Sequence, residues 1–68
     1  MKIRYDQAHD HLYIDLSTAK VADTDEVAPG IIVDYDVDGT VTGVEILDVS
    51  ERKDALQEIG FEVLGKSA

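Results

Sequence analysis

Across residues 30–47, two runs of alternating apolar residues flank the dipeptide Asp38-Gly39, and no other stretch constrains the fold as tightly. Apolar residues at every second position mark a strand with one buried face. Asp-Gly is a preferred pair for a two-residue type I′ hairpin, because both turn positions need positive φ. With 38 and 39 as the loop, Val37 faces Thr40, Tyr35 faces Thr42, Val33 faces Val44 and Ile31 faces Ile46. One face of the hairpin is then apolar, as a core face must be. The other pairs Asp36 with Val41, Asp34 with Gly43, Ile32 with Glu45 and Gly30 with Leu47. It is acidic near the turn and apolar at its far end, so Ile32, Val41 and Leu47 need cover from a helix or from another chain.

The remaining chain supplies partners for this hairpin. Ile3 and Tyr5 alternate with Lys2 and Arg4, and Leu12, Ile14 and Leu16 alternate with His11, Tyr13 and Asp15. These predict strands at about 2–6 and 11–17, joined by a short polar loop. Residues 20–27 alternate poorly and carry Asp23, Asp25 and Glu26, the composition of an edge strand that discourages unwanted pairing. With strands at about 30–37 and 40–47, the sheet has four to five strands. Asp48-Val-Ser-Glu51 resembles a capping box, Val49, Ala55, Leu56 and Ile59 form a narrow apolar stripe, and Gly60 is a stop signal. The pattern predicts a helix at about 49–59, with 61–68 a last strand or a tail. The expected fold is a single α+β domain over 1–68: a small antiparallel β-meander with a C-terminal helix.

With 68 residues, the chain has room for one small domain, which buries only about 60% of its unfolded surface. It contains no cysteine, so disulfides, thiolate zinc sites and a cysteine nucleophile are excluded, and association is the remaining route to extra stability. Fifteen acidic residues against six basic ones give a net charge of −9. That balance opposes direct binding to nucleic acid, whose phosphates call for clustered Lys and Arg, and favours a basic protein partner. The acidity is uneven, since residues 5–51 hold twelve acidic residues and a single basic one, Lys20. No stretch has signal-peptide or membrane-span character, so a soluble, cytoplasmic protein is expected.

Two constellations could carry chemistry. Asp34-x-Asp36-x-Asp38-Gly39-x₅-Glu45 matches the spacing of an EF-hand calcium loop. An EF-hand needs a helix entering at Asp34, whereas Pro29-Gly30-Ile-Ile-Val is a strand signature; turn chemistry and a solvated acidic face are the simpler reading. The alternative is a divalent-metal site using Asp34, Asp36 and Glu45 on the hairpin face, or His9 and His11 in the first loop. Tyr13, opposite in facing to Leu12 and Ile14, is a candidate interface residue together with Ile32, Val41 and Leu47. No nucleophile elbow or phosphate-binding glycine loop occurs.

Tyr5-Asp6 followed by Asp10-x-Leu-Tyr-Ile-x-Leu16, then Val27-x-Pro-Gly-Ile-Ile-Val-Asp-Tyr-Asp-x-Asp-Gly and Gly43-Val-Glu-Ile-Leu-Asp48, resembles domain of unknown function 2283 over residues 2 to about 52. The resemblance implies a small bacterial or archaeal protein without an established activity. Some members are encoded beside small toxin-like proteins and are suspected antitoxins. It implies no catalytic residues, and His9 and His11 stand where members commonly have small residues.

These readings converge on a non-enzymatic interaction module without a cofactor. It is expected to self-associate, most simply as a dimer, and to act as the acidic partner of a small basic protein in the manner of an antitoxin.

Overall fold

The computed structural model describes residues 1–52 and 60–65. It contains five strands, β1 (Lys2–Asp6), β2 (His11–Asp15), β3 (Asp23–Ala28), β4 (Ile31–Tyr35) and β5 (Val41–Ile46), followed by a 3₁₀ turn at Val49–Glu51. All pairings are antiparallel and the sheet order is β1-β2-β5-β4-β3.

This architecture corrects the α+β expectation in two respects. First, the described residues form an all-β sheet, and no α-helix starts at 49. Asp48 takes a left-handed conformation (φ 51°) and makes no side-chain cap, while Arg52 is already extended and its N–H bonds to the Val49 carbonyl. The anticipated capping box fails because the Asp48 side chain caps nothing and the Glu51 N–H bonds to the Asp48 carbonyl instead; the Ser50 N–H and hydroxyl go to Asp10. The rest of the anticipated helix, 53–59, lies outside the described residues, as do 66–68. Residues 60–65 have no regular secondary structure.

Second, the sheet is not a simple meander, because β2 pairs with β5 rather than with β3. Leu12 lies opposite Ile46 and Ile14 opposite Val44, so apolar residues meet on one face. The acidic β3 is relegated to an edge, where its charges remain hydrated. The 16–22 connection therefore passes along one end of the sheet, below β5 and β4. It is held there by the N–H groups of Leu16 and Ser17 on the Thr42 carbonyl (2.8 and 3.2 Å) and of Ala22 on the Tyr35 carbonyl (2.7 Å).

The β4–β5 hairpin keeps the expected register from Ile31–Ile46 to Asp34–Gly43, then shifts so that Tyr35 faces Val41. Thr42 is the extra residue of this β-bulge. The loop is correspondingly 37–39 rather than 38–39: the Gly39 N–H bonds to the Asp36 carbonyl (3.0 Å), and the Asp36 N–H to the Thr40 carbonyl (2.9 Å). Gly39 has φ +82°, the position that closes a three-residue hairpin loop. The Asp36 carboxylate completes the turn by accepting from the backbone N–H groups of Asp38 and Thr40, both at 2.9 Å.

At the opposite end of the sheet, the β1–β2 loop, the Pro29-Gly30 turn and the segment after β5 meet. The Leu47 N–H bonds to the Gly30 carbonyl at 2.9 Å, and the Val49 N–H to the Asp10 carbonyl at 3.2 Å. Val49, 3% exposed, is the buried apolar residue among those described. Among the described residues no helix is long and apolar enough to cross a membrane.

Candidate functional site

The register sorts the strand residues into two faces, because directly opposed residues project to the same side. One cross-sheet row reads Ile3, Ile14, Val44, Val33 and Asp25; a second reads Tyr5, Leu12, Ile46, Ile31 and Ala28. Together they make an apolar face that is charged only on β3. The opposite face carries a row of Arg4, Tyr13, Glu45, Ile32 and Glu26, and another of Lys2, Asp15, Gly43, Asp34 and Thr24.

The polar face is tied together by its own side chains. Arg4 forks onto the Asp15 carboxylate at 2.7 and 3.1 Å and lies over the Tyr13 ring, 5.0 Å from its centre. The hydrogen bond from Arg4, aided by its charge, holds the Asp15 carboxyl below the usual carboxylate range. Next along the face, His11 approaches Glu45 at 3.1 Å. Burial and the neighbouring Glu45 and Asp6 carboxylates raise the Tyr13 phenol. This is a self-satisfied, hydrated surface.

The candidate metal ligands are dispersed over separate partners. Asp34 accepts from the Thr24 hydroxyl (2.7 Å), Asp36 serves the hairpin turn, Glu45 faces His11, and His9 Nδ1 lies 2.8 Å from Asp6. The His9 and His11 rings are 5.8 Å apart between centres. Among the described residues, no three His, Asp or Glu side chains converge in a group able to hold a metal ion. The segment with calcium-loop spacing is two strands and their turn.

Of the interface candidates, Tyr13 and Ile32 lie on the polar face, in the same row as Arg4 and Glu45. Val41 sits at the bulge opposite Tyr35, and Leu47 is half-buried beside the Gly30 turn. The larger apolar surface is the other face, which the sequence pattern marks as a core. Ile14, Val33 and Val44 lie at the centre of that face yet are only half-buried, and Ile3 on β1 is 51% exposed. Phe61, Val63 and Leu64 leave it open as well, being themselves 87, 80 and 83% exposed. The signal in the sequence that marks this face is the alternation itself.

The hairpin with its Asp-rich turn, the flanking β1–β2 pair and the Asp48 segment that ends the sheet are the parts carrying a family likeness. Comparison with curated proteins and with solved structures gives no match. A family profile described as Protein of unknown function (DUF2283) matches residues 2–50, and the chain belongs to that family.

Proposed function

We propose that this chain is a non-enzymatic protein–protein interaction module whose apolar sheet face seats a second copy of itself. The observation that carries this reading is the half-buried state of Ile14, Val33 and Val44 in the middle of the sheet. A sheet that is hydrophobic on one face needs a second layer over that face, and among the described residues of one chain nothing provides it.

Sedimentation equilibrium tests the reading: a dimer mass at micromolar concentration is expected, and a monomer at millimolar concentration would sink it.

The uneven charge favours a second, heterologous contact. Twelve acidic residues and one basic one across residues 5–51 make the turn at 36–39 and the outer edge of β3 a complement for a small basic protein. This agrees with the antitoxin role suspected for the family. Affinity purification from the native host, followed by titration of the recovered partner at rising salt, examines it. Recovery of no basic protein, or salt-independent binding, would count against this contact.

A further inference from the structure

Among the described residues, two apolar features lie open. One is the sheet face centred on Ile14, Val33 and Val44. The other is the segment Phe61-Glu62-Val63-Leu64, whose three apolar side chains are 80–87% exposed. Large apolar side chains gathered in water mark a contact surface. Resting on the reading that the apolar face seats a second copy, we propose that its occupant is the partner's C-terminal arm. Phe61, Val63 and Leu64 of each copy lie over the central strands of the other, and the two copies exchange these arms.

The width of the apolar surface favours an arm over a whole sheet. Asp23 and Asp25 share the apolar face with Tyr35 and Val33, so that face is apolar across β1, β2, β5 and β4 and charged on β3. Stacking two such sheets in register sets β3 over the partner's β3 or over its β1. Carboxylates then confront carboxylates, or Asp25 confronts Ile3, and either arrangement desolvates a charge. The central strands β2, β5 and β4 span two interstrand spacings, about 10 Å. Four residues such as 61–64 reach at most about 14 Å, enough to cover this strip while the β3 carboxylates stay hydrated.

Charge favours the same occupant. Residues 1–51 hold twelve acidic and three basic residues, a net −9, whereas residues 52–68 hold three of each. A neutral arm meets the sheet without the like-charge repulsion that two sheets of −9 would feel across about 10 Å. In its own chain the arm leaves Phe61, Val63 and Leu64 in water, so its own face is not their seat. A second copy offers the identical face, and exchange of identical elements is a low-cost route to a dimer. The nine residues from Arg52 to Phe61 span up to about 30 Å, sufficient to cross between facing copies.

Nuclear Overhauser contacts in a dimer refolded from equal parts of ¹³C-labelled and unlabelled full chain test the exchange. Phe61 is the single phenylalanine, so its ring signals are unambiguous. Contacts between the Phe61 ring of one copy and the methyl groups of Ile14, Val33 or Val44 of the other are expected. Phe61→Ala, which removes two rings per dimer, is expected to weaken the dimer about a hundredfold in sedimentation. Ring-to-methyl contacts found only within one copy overturn the exchange. A dimer with no such contacts, and equally tight in Phe61→Ala, overturns the arm as occupant while leaving self-association intact. A monomer at millimolar concentration overturns both readings.

Discussion

The Asp10 carboxylate accepts hydrogen bonds from both the backbone N–H and the hydroxyl of Ser50, at 3.1 and 2.6 Å, across 40 residues of sequence. Asp10 itself sits at φ 58°, where aspartate is among the more tolerant non-glycine residues, and it also accepts from the Tyr5 hydroxyl at 2.8 Å. One side chain thereby joins β1, the first loop and the segment that leaves β5.

This junction predicts two pH limits of opposite sign. Hydrogen bonds from Ser50, and then from Tyr5, hold the Asp10 carboxyl below the usual range. A carboxyl depressed in the folded state stabilises the fold above about pH 4, and that contribution is lost as pH falls through the folded pKa. The hydrogen bond to Asp10 raises the Tyr5 phenol, so its contribution is complete below about pH 10 and disappears as pH rises through the folded value. Urea midpoints measured across pH should show both limits. Asp10→Asn should flatten the acid limb and Tyr5→Phe the alkaline one, with Ser50→Ala milder than Asp10→Asn on the acid side. An unchanged acid limb in Asp10→Asn would contradict this assignment.

Thr42 is 4% exposed, and its hydroxyl has no hydrogen-bond partner among the described residues. As the extra residue of the β5 bulge, it keeps its backbone role whatever its side-chain polarity. Replacement by valine keeps the branched shape and removes an unpaired buried hydroxyl, which should stabilise the protein by about 1 kcal/mol. Chemical denaturation that instead shows Thr42→Val to be destabilised would mean that the hydroxyl is paired in solution.

Gly39 closes the hairpin loop at φ +82° and, among the described residues, has nothing within 4 Å of an added Cβ. Gly39→Ala therefore meets open space, and its whole effect is backbone strain. The expected cost is about 1–2 kcal/mol, with the sheet otherwise unchanged by NMR. Gly43→Ala differs in mechanism, because its Cβ would lie 3.2 Å from the Ile14 carbonyl oxygen on the neighbouring strand. It should also perturb the β2–β5 pairing, visible as shifts at Ile14 and Asp15.

If the apolar face is buried between copies, folding and association are coupled. The thermal midpoint should then rise with protein concentration, each tenfold increase adding about 1.4 kcal/mol of apparent stability per dimer. Val44, between Ile14 and Val33 in the central row, is the position at which to break it. Val44→Asp should yield a monomer whose midpoint no longer depends on concentration. A wild-type midpoint independent of concentration would argue for a monomeric fold.

Several strand pairs were legible because alternation and register are local. The partnership of Ile31 with Ile46 and of Val33 with Val44 follows from two runs on either side of one turn. The loop length was not legible, since Gly39 supplies positive φ equally to a two-residue turn and to a three-residue loop followed by a bulge. The apparent capping box at 48–51 misled because Asp48 turns left-handed without capping and the Ser50 N–H goes to Asp10, which only the tertiary fold brings near. The candidate site was legible as a set of residues and not as a surface. Alternation marks Ile3, Ile14, Val33 and Val44 as inward-facing, but it is silent on whether the second layer comes from the same chain.

The sequence by itself determined that this chain is a sheet protein with an acidic edge and a hairpin at Asp38-Gly39, because period-2 alternation, turn residues and charge act over a few neighbouring positions. The tertiary structure alone decided that β5 joins β2 and that an apolar face remains without cover among the described residues. Those outcomes depend on which distant strands bury the most apolar surface together, a competition between long-range pairings that no local pattern records.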